Sequence, residues 1–111
     1  MLNTILTDMQ RVAPSTDDYD IIFPMLKPEK IVHWRHFAVA NLTTGGKTVK
    51  IGLVHGDYFI WIKSISLTTA GIWYTLENDF NLDSFWRPAA RFVSPATGDQ
   101  LAFNVIAEYV D

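Results

Sequence analysis

The chain has 111 residues, 49% of them hydrophobic and 19% charged, with a formal net charge of -3. These values describe one globular domain and exclude a disordered chain, and nine Lys and Arg scattered singly leave no basic footprint for nucleic acid. Cysteine is absent, which excludes a disulfide framework and a thiolate metal site, and no run approaches the roughly 20 apolar residues of a membrane span.

The first ten residues carry no Lys or Arg and no long apolar run, so no secretory signal is read and folding in a cytoplasm is expected. Leu2, Ile5, Leu6, Met9 and Val12 fall at spacings of three and four, and Pro14 closes the pattern. That rhythm predicts a short helix, or an arm reaching a neighbour. Residues 13–20, "APSTDDYD", are rich in turn formers and read as a linker. The division is therefore 1–18 for arm and linker and 19–111 for a single β domain.

From residue 19 onward everything reads as strand and turn. "IIFPML" is a strand start broken by Pro24, hence an edge or a bend, and "KPEK" is a turn. "IVHWRHFAVAN", residues 31–41, is β-branched and aromatic and stops before the loop "LTTGGK". "TVKIGLV", the turn "HGD" and "YFIWIKSISL" follow, then "TTAG", "IWYTLE" and the polar stretch "NDFNLDS". "FWRPAARFV", "SPATGD" and the alternating "QLAFNVIAEYV" complete the chain. Seven or eight short strands at this spacing predict an antiparallel β-sandwich, jelly-roll-like or immunoglobulin-like.

Candidate chemistry is sparse. Alternation along a strand points His33 and His36 to opposite faces, which argues against a shared metal, and lets Trp34 and Phe37 anchor opposite faces. His55 and Asp57 have the types of a base and its orienter, but "HGD" is more simply a tight hairpin turn with Gly56 at positive φ. Asp79, Asn81 and Asp83 have the alternate spacing of a calcium loop, yet Ser84 and Ala90 stand where an EF-hand needs Gly and a carboxylate. A polar loop is the simpler assignment there. "TTGGK" lacks phosphate-loop spacing and reads as a hairpin. No catalytic residue, metal ligand set or cofactor loop is expected.

Fifteen aromatic rings remain, more than a sandwich of this size needs for its core. The run Tyr58–Ile62 is apolar on both faces, and leaving such a surface bare is rare for a soluble monomer. Self-association is the economical cover. The contact candidates are Leu2, Ile5, Leu6 and Met9 of the arm, with Trp34, Tyr58, Trp61, Trp73, Phe85 and Trp86. A sugar platform pairing Trp86 with Asp79, Asn81 and Asp83 is a second use of the rings; a nucleobase platform conflicts with the acidic balance.

The order of features in "FAVANLTTGGKTVKIGLVHGD", "SISLTTAGIWYTLENDFNL" and "ATGDQLAFNVIAEYV" resembles small β-sandwich virion proteins of tailed bacteriophages, the head-decoration and tail-accessory kind. The resemblance runs from Phe37 to the last strand. It implies a non-enzymatic structural protein assembled in host cytoplasm, a homo-oligomer of three or more copies that binds capsid or tail proteins, with neither nucleic acid nor membrane as partner. A carbohydrate- or receptor-binding module, and a small inhibitor or immunity-type protein against a host enzyme, are the alternatives.

Overall fold

The computed structural model describes residues 4–24, 31–83 and 85–110, with backbone alone at 78–80. Eight strands appear in it: β1 (Thr4–Val12), β2 (Tyr19–Ile22), β3 (Ile31–Asn41), β4 (Lys47–His55), β5 (Tyr58–Leu67), β6 (Tyr74–Asp83), β7 (Arg87–Val93) and β8 (Gln100–Val110). One sheet has the order β1-β8-β3-β6 and the other β2-β7-β4-β5, all neighbours antiparallel. The pairs β4–β5, β3–β6, β2–β7 and β1–β8 nest outward from the central hairpin, so the chain behaves as one long hairpin rolled up on itself. Contacts β3–β8 and β4–β7 then complete the two sheets. This is the jelly-roll form of a β-sandwich.

Alternation decides which side chains fill the space between the sheets. Val32, Trp34, Phe37 and Val39 of β3, with Leu101, Phe103 and Val105 of β8, are fully buried against Val49, Ile51, Leu67 and Phe92 of the second sheet. Two edge-to-face ring pairs fill this space: Phe23–Trp34, with centroids 5.3 Å apart, bridges the layers, and Phe37–Phe103, at 5.8 Å, joins neighbouring strands of the first sheet.

Three expectations are corrected. Residues 4–12 are not a helix or a detached arm but an outer strand paired with β8 along its whole length. The periodicity misled because Leu6 and Val12 lie on the solvent side of that strand, while Ile5, Thr7 and Met9 turn toward the core. Ala13 of the expected linker is buried as well, its N–H donating to the Asp99 carbonyl. The stretch 78–83 is the second half of β6 and not a loop, so the spacing of Asp79, Asn81 and Asp83 is simply strand periodicity.

The third correction concerns His33 and His36. A bulge at Arg35 places Trp34 opposite Ala107 and His36 opposite Ile106, two residues against one. Trp34 and Phe37 therefore share the core side, and both histidines lie on the outer side.

At one end of the sandwich the loops are tied by a buried polar knot. Asp99 and Asn41 are each only 1% exposed. The Asn41 amide donates to Asp99 Oδ2 at 2.9 Å, Thr44 Oγ1 donates to Asp99 Oδ1 at 2.5 Å, and the Ala96 N–H donates to Oδ2 at 2.9 Å. Asn41 Oδ1 in turn accepts the Thr43 and Thr44 N–H groups, and the Asn41 carbonyl accepts from Gly71. Burial pushes the Asp99 carboxyl up, but hydrogen bonds from Thr44, Asn41 and Ala96, with Lys47 nearby, outweigh it and hold the group below its ordinary 3.8.

A depressed carboxyl contributes stability that is complete above its ordinary value and disappears as pH falls through the lower folded value. Acid unfolding of the wild type is expected to steepen below pH 3.8, and Asp99→Asn to flatten that dependence. In urea titrations near neutral pH, Asp99→Ala should cost about 3 kcal/mol, because it leaves several buried donors unpaired.

Candidate functional site

Three places on the outside of the sandwich gather aromatic, charged and polar side chains. The first is the outer face of the second sheet, where the run Tyr58–Ile62 lies. β5 has one extra residue at Ile62, because Ile51 pairs with Lys63 and Gly52 with Trp61. Trp61 and Phe59 thus both point outward and stack, centroids 5.1 Å apart and 20° between planes. The Arg91 guanidinium lies 5.0 Å from each ring centroid. Arg91 stands opposite Lys50 on β4, and the next position on the same face, Gly52 between Ala89 and Trp61, adds no side chain between the guanidinium and the rings. Asp20 of β2 grips the far side of the same guanidinium through two hydrogen bonds of 2.7 and 2.9 Å and pushes its pKa above the ordinary value. The rings that looked unpartnered in sequence are therefore capped by a cation, itself neutralised by a carboxylate.

A second group sits at the end opposite the Asp99 knot. The β4–β5 turn Gly56–Asp57, with Gly56 at φ 60°, brings His55 and Tyr58 side by side as strand partners. The His55 ring is 5.0 Å from Trp86 and 6.2 Å from Phe85. Asp83 Oδ1 accepts the Phe85 N–H and so shapes this corner. Tyr58 and Phe85 are 65% and 48% exposed, which leaves aromatic surface open to solvent. His55 and Asp57 stand at the β4–β5 turn.

The third lies on the outer face of the first sheet. Two shallow hollows of about 320 and 340 Å³ meet at His36 and Ile106. Ala38 forms part of the floor, and Asn104 Oδ1 is buried there without a hydrogen-bond partner among the described residues. Arg35 and Glu108 form a 2.7 Å ion pair at the side, and Glu77 stands beyond His36. The described residues lining the hollows include the polar groups Thr7, Asp8, Arg35, His36, Glu77 and Asn104. Among the described residues no group of three or more His, Cys, Asp or Glu is placed to hold a metal ion.

The sequence-chosen contact residues scatter over these surfaces. Leu6 is 72% exposed beside the first hollow, Ile5 packs partly against the core, and Leu2 lies outside the described residues. Met9 and Trp34 are buried core residues and are not available at a surface, because β1 and the Arg35 bulge turn them inward. Tyr58, Phe85 and Trp86 come together; Trp61 belongs to the Arg91 platform; Trp73 lies apart in the β5–β6 connection. Arg91, Asp20 and Gly52 were not singled out from sequence. Their signal was the alternation of "RPAARFV" and "VKIGLV", which sets Arg91 and Gly52 on the side away from the core.

No family model matches the chain, and no curated protein does. Among solved structures it is similar to the dimeric latent PorU of Porphyromonas gingivalis, with 14% identity and a TM-score of 0.45 over 99% of this chain and 13% of that one. It is also similar to the infectious bursal disease virus Gt strain structure, with 8% identity and a TM-score of 0.43 over 98% of this chain and 33% of that one. The chain thus spans well under two thirds of either.

The platform makes a sharp prediction about Gly52. A Cβ added there would stand 2.0 Å from the Ile60 carbonyl oxygen, a backbone atom that cannot swing aside. Gly52→Ala is expected to cost about 3 kcal/mol in urea unfolding. Arg91→Ala, which uncaps the rings without a clash, should cost only about 1–2 kcal/mol.

Proposed function

We propose that this chain is a non-enzymatic structural protein that self-associates, of the virion decoration or tail-accessory kind. The observation carrying the proposal is apolar surface directed outward on a well-filled sandwich: Leu6 at 72%, Tyr58 at 65% and Val12 at 60% exposure, with Ile106 and Phe85 also open. The core is complete without them, so burying them requires another molecule. Jelly rolls serve as viral capsid and as lectin domains, so fold alone does not choose between assembly and sugar binding. The outward aliphatic residues favour assembly, because sugar recognition draws on rings and hydrogen-bonding groups. The phage setting rests on the order of sequence features from Phe37 onward. In light scattering coupled to size exclusion at micromolar concentration, the expected mass is a multiple of the 12.6 kDa protomer. A single 12.6 kDa species at every concentration would instead move the reading to a small inhibitor or immunity-type protein.

A second reading is favoured by the corner formed by His55, Tyr58, Phe85 and Trp86. Open ring faces beside Asp83 suit a carbohydrate ring. On a glycan array this reading expects binding by the wild type that Trp86→Ala abolishes, and silence of both proteins would remove it.

A further inference from the structure

We propose that the contact through which the protein self-associates is the free edge of β1, pairing antiparallel with β1 of a second copy about a two-fold axis at Met9. This rests on the self-association reading above and names its surface.

The free edges of the sandwich differ in how they are protected. β2 has only four residues. β5 carries the Ile62 bulge and an exposed Lys63, and β6 carries exposed Glu77 and Asp83. Short length, bulges and charges are the usual means of preventing strand addition. β1 has nine residues, no proline, no bulge in its register with β8, and its other side unpaired among the described residues; it too carries exposed charges, Asp8 and Arg11, but one of each sign, whereas those named on β6 are both acidic.

The direction of its free hydrogen-bonding groups follows from one bond. Ala13 N–H donates inward to the Asp99 carbonyl, so the odd-numbered residues face β8. Leu6, Asp8, Gln10 and Val12 then direct their N–H and C=O groups at the open edge, and their side chains at solvent. The Gln10 carbonyl is held by the Arg11 side chain at 2.8 Å, a local bond that a partner strand would replace.

Only a few registers keep the outer faces of both copies on the same side, and side-chain chemistry selects among them. Centring on Asp8 opposes two carboxylates, and centring on Arg11 opposes two guanidiniums. Centring on Gln10 sets Asp8 against the partner copy's Val12. Centring on Met9 sets Leu6 against the second copy's Val12, and Asp8 against its Gln10. The two most exposed aliphatic side chains of the strand then cover each other, and Ile106, opposite Leu6 on β8, lengthens the row. Four such pairs exchange about eight backbone hydrogen bonds and join the two first sheets into one of eight strands. A two-fold contact alone makes dimers; larger multiples would draw on a second surface.

The test compares two double variants by sedimentation velocity on the full chain. In Leu6→Lys/Val12→Glu, opposite charges meet across the axis; in Leu6→Lys/Val12→Lys, like charges do. Both lose the same apolar contact, and the like-charged variant has the smaller net charge, so generic repulsion would order them the other way. The expected result is a wild-type dimer, a retained dimer for the opposite-charged variant, and dissociation at least about tenfold more facile for the like-charged one. Should the like-charged variant fail to fold by circular dichroism, Gln10→Pro replaces it, removing a free-edge N–H while sparing the β8 ladder. Equal association of the two variants, or of Gln10→Pro and wild type, with the wild type assembled, would overturn the β1 contact and leave self-association standing. A wild type monomeric throughout would overturn both.

Discussion

The structure turns on one buried carboxylate. Asp99 gathers the hydrogen bonds of Thr44, Asn41 and Ala96, while its own carbonyl accepts Ala13 at the start of the β1–β2 connection. A charge taken out of water is tolerated only when its lone pairs are satisfied, so the loops must meet at this point and in this arrangement. The consequence reaches beyond the knot. By holding Ala13, Asp99 sets the register of β1 on β8, and that register decides which amides of β1 remain free at the edge.

Two single-residue irregularities decide what the outer faces display. The Arg35 bulge moves both Trp34 and Phe37 into the core and both His33 and His36 outward, giving the first sheet a polar, hollowed surface. The extra residue Ile62 in β5 does the same for the second sheet: Trp61 and Phe59 swing outward while Ile65 and Leu67 stay with the core. Bulges are where a strand re-aims its side chains, and here each falls next to a cluster with functional character. The two clusters differ in what they leave open. Arg91 and Asp20 close the ring pair of the second sheet, whereas the aliphatic row on β1 has no internal cover.

The assembly and carbohydrate readings thus draw on different parts of the molecule. The assembly reading concentrates on the β1 edge beside the Asp99 knot, where backbone groups and aliphatic side chains are open together. The carbohydrate reading concentrates on the opposite end, where a glycine turn sets His55 beside Trp86. Nothing in the geometry makes one depend on the other, so each stands or falls separately.

Strand and turn chemistry was legible locally: β-branched and aromatic runs between Gly, Pro, Asn and Asp clusters marked β3, β4, β5, β7 and β8, and the Gly56 hairpin. The absence of cysteine and the lack of a basic stripe were equally direct. What sequence alone misassigned was every feature that depends on a distant partner. Leu2, Ile5, Leu6, Met9 and Val12 carry a helical rhythm, but the ladder to β8, nearly a hundred residues away, makes 4–12 a strand. Asn81 and Asp83 resemble a loop until β3 pairs with them, and Arg35 looks like any other strand residue until two partners force it out of register. Local pattern fixes what a segment can form. Only the long-range pairing, through hydrogen bonds it must satisfy and apolar surface it must hide, decides which face each side chain meets.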